Sequence, residues 1–241
     1  MIARLDVKGE NVVKGVQFEG LRVVGKPKEL AQRYAEQGAD EIIFIDTVAS
    51  LYGRNHLAAV LETIEGVFVP IAVGGGIRSK EDARKLFNAG ADKIVVNTAA
   101  LKRPDLIDEL AAYFGSQAVV VSIEAKRVNG GWHAFGDNGR DDSGRCAVAW
   151  AAEAARRGAG ELLVTSIDRD GTGAGTETDL GASIDVAVPV ILAGGISDPA
   201  QAVRASAVAD ALAVGAGLHY GKTTIPALKA AIGAAGKPVR L

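Results

Sequence analysis

Asp6 and Glu124 each close a short apolar run, in RLDVK and VSIEAK, and stand 124 − 6 = 118 positions apart in a chain of 241 residues. A shift near half the chain length puts the two carboxyl groups at equivalent points of two similar halves. Carboxyl groups opposed across a substrate make a general acid and base pair when their surroundings split their pKa values. The competing reading is that each carboxylate merely pairs with its neighbour, Lys8 or Lys126. Glycine-rich turns recur at the same interval. Gly75-Gly76 in VPIAVGGGIRS returns as Gly194-Gly195 in VPVILAGGISD, a shift of 194 − 75 = 119, and Asn97-Thr98-Ala99 returns as Gly215-Ala216-Gly217. Backbone N–H groups of such a turn, with the helix N-terminus behind them, can receive a phosphate. One copy alone is as readily a tight corner. Two copies at symmetric places favour one ligand with a phosphate at each end, or two phosphorylated ligands.

Other residues could join them. Asp170, in SIDRDGTG, either hydrogen-bonds a substrate, orients Gly171 toward a phosphate, or only makes a turn. Lys14 lies in Gly9–Lys26, a stretch too long for a simple βα turn and therefore a candidate active-site loop. Its ammonium closes on an anion or stays solvated. Glu41, Lys93 and Glu161 open three similar runs, GADEIIF, GADKIVV and GAGELLV. Buried charge costs on the order of several kcal/mol unless paired. The three read as a salt-bridge plug, or more sharply as a gate that docks a partner and admits a small molecule. His56, His133 and His219 show no metal-ligand spacing, and no Ser-His-Asp set, Walker motif or dinucleotide fingerprint is present. Trp132 and Trp150 read as packing residues.

The elements that must carry these side chains alternate. Strands are predicted at Ile2–Val7, Glu41–Asp46, Ile71–Val73, Ile94–Val96, Val119–Glu124, Glu161–Ser166, Val190–Leu192 and Ala211–Val214. Helices are predicted at Pro27–Gln37, Leu57–Ile64, after the cap Ser79, and at Pro104–Phe114, Ala147–Arg157, Leu180–Ala187, Pro199–Ala205 and Thr224–Ala235. Leu180–Ala187 is a poor helical sequence. Asn129-Gly130 signals a hairpin within Lys126–Gly139. The alternation predicts parallel strands with right-handed crossovers, and eight units in this length fit a (β/α)8 barrel. An open doubly wound sheet competes, and the repeat favours the closed barrel. The expectation is one domain over 1–241, with half-barrels of about 1–118 and 119–241, and an active site at the C-terminal strand ends.

Composition narrows the function classes. With 27 basic and 29 acidic residues, no basic field argues for nucleic acid or an anionic membrane. The single cysteine, Cys146, excludes an internal disulfide and a multi-cysteine zinc site, and suits a reducing cytosol. The apolar runs are strand-length, so no membrane span is expected, and no cofactor motif appears.

The stretches LDVKGENVVKG, ADEIIFID, VGGGI, GADKIVVNTAA, FGSQAVVVSIEAKR and GAGELLVTSIDRDGTGAG together resemble the cyclase subunit of imidazole glycerol phosphate synthase, over essentially the whole chain. The resemblance implies a (β/α)8 barrel that takes ammonia from a glutaminase partner. It converts a bis-phosphorylated ribulosyl aminoimidazole carboxamide nucleotide to imidazole glycerol phosphate and an aminoimidazole carboxamide ribotide, in histidine biosynthesis. Carried over by position, Asp6 matches the first catalytic aspartate and Glu124 the second. Gly76, Asn97 and Thr98 match one phosphate site; Gly171, Gly195, Gly215 and Ala216 match the other, with Asp170 beside it. Lys14 matches the mobile-loop lysine, and Glu41, Lys93 and Glu161 match three of four charged residues at the ammonia entrance. The resemblance implies no cofactor or metal.

Three departures qualify the match. The second acid is Glu124 rather than aspartate, which moves the carboxyl by about one bond, and a ~1 Å misplacement can cost on the order of a hundredfold in rate. The fourth entrance residue, an arginine, is expected to fall just before Met1, and Arg4 stands where the family usually has a small residue. The segments 180–187 and 200–209 look trimmed. With the wording of Ala49–Asn55, these departures resemble a paralogous branch associated with ammonia-dependent amidination of surface-polysaccharide sugars. A non-catalytic scaffold that binds a glutaminase and a bis-phosphate, and the sister isomerase, are the remaining readings.

Overall fold

The computed structural model describes residues 1–49, 57–62 and 64–240. Ser50–Asn55 and His56, part of the sequence comparison above, lie outside the described residues. The chain opens with β1 (Ile2–Lys8), then a hairpin of β2 (Asn11–Val16) and β3 (Glu19–Gly25). Next come α1 (Pro27–Glu36), β4 (Glu41–Asp46), α2 (Leu57–Glu62), β5 (Ile71–Gly74), α3 (Lys80–Asn88) and β6 (Lys93–Val96). Two helices, α4 (Thr98–Lys102) and α5 (Asp105–Phe114), lead to β7 (Val119–Val128), which forms a meander with β8 (Gly131–Gly136) and β9 (Asp141–Cys146). The remainder is α6 (Ala147–Arg156), β10 (Glu161–Ser166), α7 (Thr178–Ala182), β11 (Val190–Ala193), α8 (Pro199–Ala205), β12 (Ala211–Val214), α9 (Ala216–His219) and α10 (Ile225–Ala234).

Among the described residues, eight strands pair in parallel in the order β1-β4-β5-β6-β7-β10-β11-β12, and β12 pairs back onto β1, with Ile2 opposite Ala213. The sheet therefore closes, and the open doubly wound alternative is excluded. Side chains alternate along each strand, so one set fills the lumen and the other meets the helices. Ile2, Ile43, Ala72, Val95, Val120, Leu163, Ile191 and Ala213, one from each barrel strand, pack together as an inner apolar belt. The outer set, including Leu5, Phe44, Val73, Val121, Val164 and Leu192, joins helix residues such as Tyr34, Leu86, Leu110 and Trp150 in the larger core. Trp150 is thus a packing residue, 1 % exposed.

The repeat is visible in the helix starts. Ser79 caps α3 by accepting from Asp82 N, and Asp198 caps α8 by accepting from Gln201 N. The expected active-site loop at Gly9–Lys26 is instead the hairpin β2–β3. Its tip, Gln17-Phe18, takes positive φ at both residues (53° and 65°), a turn that usually shows itself as Asn-Gly, so the sequence carried no hairpin signal there. Asn129-Gly130, which did carry it, turns as expected (φ 49° and 85°). The predicted helix over 180–187 shrinks to α7, because Gly181 and the β-branched residues near Pro189 do not sustain it.

Candidate active site

Asp6 and Glu124 sit on β1 and β7, four strands apart around the closed eight-strand ring, so they oppose each other across the C-terminal mouth. Both are buried, at 4 % and 5 % exposure. Neither pairs with its sequence neighbour. Asp6 Oδ1 accepts from Arg4 Nε at 2.9 Å and Oδ2 from Lys14 Nζ at 2.7 Å. Lys14 Nζ also lies 2.9 Å from Asp170 Oδ2, so the solvated alternative for Lys14 is overturned; it is 2 % exposed. Asp170 holds this lysine. Glu124 stands outside the ion-pair chain, and its Oε2 accepts from the backbone N–H of Gly139 at 2.9 Å.

These surroundings split the two acids. Burial works to raise Asp6, but Arg4 and Lys14 outweigh it and hold the carboxyl well below the usual carboxylate range. Burial dominates at Glu124 and pushes it up to about 7, only partly offset by Arg4 and the Gly139 hydrogen bond. One acid is locked as an anion while the other titrates near neutrality, the pattern expected of an acid–base site. His219, behind the site, is pulled down to about 4 by burial and is neutral. Its Nε2 lies 3.1 Å from Arg4 O and its Nδ1 2.7 Å from Tyr34 Oη.

Two cradles flank this floor. Gly75, Gly76, Asn97 and Thr98 line a 370 Å³ cavity together with Glu124 and the basic residues Arg78, Lys102 and Arg103. Gly171, Gly194, Gly195, Gly215, Ala216 and Lys222 line a narrower cleft with Lys14 and Arg4. Asn97 and Gly215, 118 positions apart, share an unusual backbone (φ −137°, ψ −89° and φ −117°, ψ −83°) at the start of α4 and α9. The hairpin covers the mouth: Gln17 N donates to Asp170 O at 2.8 Å, and Phe18 packs with Phe135 and Ile167. The Phe18 ring centroid lies 5.5 Å from Arg4 Cζ and 5.9 Å from Lys14 Nζ.

At the opposite end Lys93 Nζ lies 2.7 Å from both Glu41 Oε2 and Glu161 Oε1, so the three form one ion cluster with a single ammonium between two carboxylates. Burial works to lower Lys93, yet its hydrogen bonds to Glu161 and Glu41 leave it raised. Sequence reasoning singled out Arg4 only as a departure and did not find Phe18 or Thr165, whose Oγ1 accepts from Arg4 Nη1 at 2.8 Å. Arg4 had one usable signal: two residues before Asp6 on a strand, it shares the inward face. Phe18 had none, since its place depends on the hairpin. Among the described residues no group of His, Cys, Asp or Glu is arranged to hold a metal, and no helix is long and apolar enough to cross a membrane.

Fold and site define a (β/α)8 barrel with a carboxyl pair at its mouth and two glycine-built cradles beside it. The chain belongs to the histidine biosynthesis protein family, whose model matches residues 1–224. It is 56 % identical over 200 residues to the imidazole glycerol phosphate synthase subunit HisF of Legionella pneumophila, covering 81 % of this chain and 94 % of that protein. It is 48 % identical over 247 residues to the same-named subunit of Solibacter usitatus, and 48 % identical over 246 residues to that of Acidobacterium capsulatum. Both matches cover 100 % of this chain and 97 % of the relative.

Proposed function

We propose that this chain is the cyclase subunit of an imidazole glycerol phosphate synthase. It uses ammonia to convert a bis-phosphorylated ribulosyl aminoimidazole carboxamide nucleotide to imidazole glycerol phosphate and an aminoimidazole carboxamide ribotide, in the cytoplasm. The observation that carries the reading is a pair of glycine-built cradles in the two halves, one lined also by Glu124 and the other by Arg4 and Lys14, which hold Asp6. A substrate with a phosphate at each end spans the mouth with its reacting carbons over the carboxyl pair. Gly76, Asn97 and Thr98 receive one phosphate; Gly171, Gly195, Gly215 and Ala216 receive the other. Glu124 exchanges protons with the substrate, and Asp6, held ionised, stabilises positive charge that develops during ring closure. The hairpin with Phe18 excludes water.

Ammonia is supplied by a glutaminase subunit docked at the other end, through the gate of Glu41, Lys93 and Glu161. Phe68, just before β5 at that end, is 96 % exposed and supplies an apolar anchor of the kind that interfaces bury. The test is turnover of the purified chain with the bis-phosphate substrate and an ammonium salt at high pH, where free ammonia replaces the partner. Turnover supports the reading. Binding without turnover, partner present, would move it to the scaffold or the sugar-amidinating branch that Arg4 and Glu124 resemble.

A further inference from the structure

Arg4 and Glu124, separate departures in the sequence, meet inside the barrel: Arg4 Nη1 donates to Thr165 Oγ1 at 2.8 Å, and Thr165 stands opposite Glu124 in the register of β10 and β7. Arg4 is 3 % exposed and points into the lumen just above the inner apolar belt. Gly74, Ser122 and Ala193, each two residues past the belt member of its own strand as Arg4 is on β1, are small and leave room for a guanidinium. Its Nε goes to Asp6 on its own strand, and its Nη1 crosses to Thr165 on β10. Phe18 covers one face of it. A cation is costly in such a place unless it is paired, and this one has a carboxylate and a hydroxyl as partners.

The charges around Glu124 show what Arg4 does there. Arg4 and Asp6 come from β1, Lys14 from β2, and Asp170 from the loop after β10. Lys126, on Glu124's own strand, is turned to the Phe135 ring, 5.9 Å from its centroid. His219 on α9 is uncharged. Asp46, Asp137, Arg78, Lys102 and Arg103 line the cavity that Glu124 faces. Within the inner cluster beneath it two cations balance Asp6 and Asp170, and ionising Glu124 adds one negative charge. Without Arg4, that inner cluster would hold three carboxylates and the one ammonium of Lys14, and one oxygen of Asp6 would lose its donor.

We propose that Arg4 is a positioning residue for the carboxyl pair: it pins Asp6 as the fixed anion of the site and leaves Glu124 as the group that exchanges a proton. This rests on the reading of Asp6 and Glu124 as the reaction's carboxyl groups. In this chain the division of labour between the acids is set from β1, by a residue that the substrate need not touch.

The experiment is carboxyl ¹³C NMR of the full chain labelled at Asp and Glu, titrated from mildly acidic to mildly alkaline pH, with Glu124 assigned by its loss in Glu124→Gln. No substrate is needed, so an inactive wild type would defeat the cyclase reading and still leave this one decidable. In Arg4→Met the Glu124 midpoint is expected to rise by about one pH unit or more, the size of shift that losing a nearby opposite charge produces. Arg4→Lys should bring it back to within about half a unit. Where Arg4→Met does not fold, Arg4→Gln carries the same expectation. A plug that only fills the lumen would leave the Glu124 midpoint in place, and an unmoved midpoint in the folded neutral variant overturns the proposal. So does a midpoint in Arg4→Lys that rises as far as in the neutral variant.

Discussion

Gly75 and Gly194 occupy equivalent corners of the two halves, each with positive φ (113° and 99°) and each backed against the residue that ends the neighbouring strand. A Cβ at Gly75 would stand 2.6 Å from Asp46 O, and one at Gly194 2.7 Å from Ser166 O. The cradles are therefore built by close backbone approach, and only glycine permits it.

Gly75→Ala and Gly194→Ala should each destabilise the chain, by about 3 kcal/mol from strain and overlap combined. The two losses should be similar because the corners are. Thermal unfolding measured side by side checks this, and a mild effect at either position would contradict the equivalence.

Asp6→Asn removes the anion between two buried cations, Arg4 and Lys14. Leaving buried charge uncompensated costs about 3–5 kcal/mol. The variant should unfold at lower denaturant and lose ammonia-dependent turnover. Full activity in a folded Asp6→Asn chain would remove Asp6 from the chemistry.

Glu124, raised from 4.5 to about 7, gives stability a definite pH slope. Between those values the folded chain keeps a proton that the unfolded chain has released, so this group's contribution falls as pH rises through the window. Asp6, depressed below its ordinary 3.8, does the opposite: its contribution is present above that value and lost as pH falls toward the folded one. Denaturant midpoints at about pH 5 and pH 8 should differ less in Glu124→Gln than in the parent chain. The same variant should lose about 10²–10⁴-fold in turnover, the usual worth of a general acid or base.

At the opposite end of the barrel, Lys93→Met should leave Glu41 and Glu161 without their shared cation in a partly buried layer and lower the melting temperature. Phe68→Asp alters a side chain that is 96 % exposed and should leave ammonium-dependent turnover unchanged while weakening association with the proposed glutaminase subunit. Unaltered association in a binding titration would remove Phe68 from the docking face.

Sequence by itself determined the eight-unit alternation, the half-to-half repeat, the opposed positions of Asp6 and Glu124 and the shared layer of Glu41, Lys93 and Glu161. All follow from periodicity and spacing, which are local and survive without coordinates. Only the tertiary structure decided that β2–β3 is a hairpin folded over the mouth, that Lys14 is buried between Asp6 and Asp170, and that Arg4 crosses the lumen to Thr165. Those contacts join residues 8, 156 and 161 positions apart, and their strength comes from low dielectric inside a closed barrel. The carboxyl groups at 6 and 124 were legible as a pair; that one is locked ionised and the other poised near neutrality depends on which cations the fold brings to each.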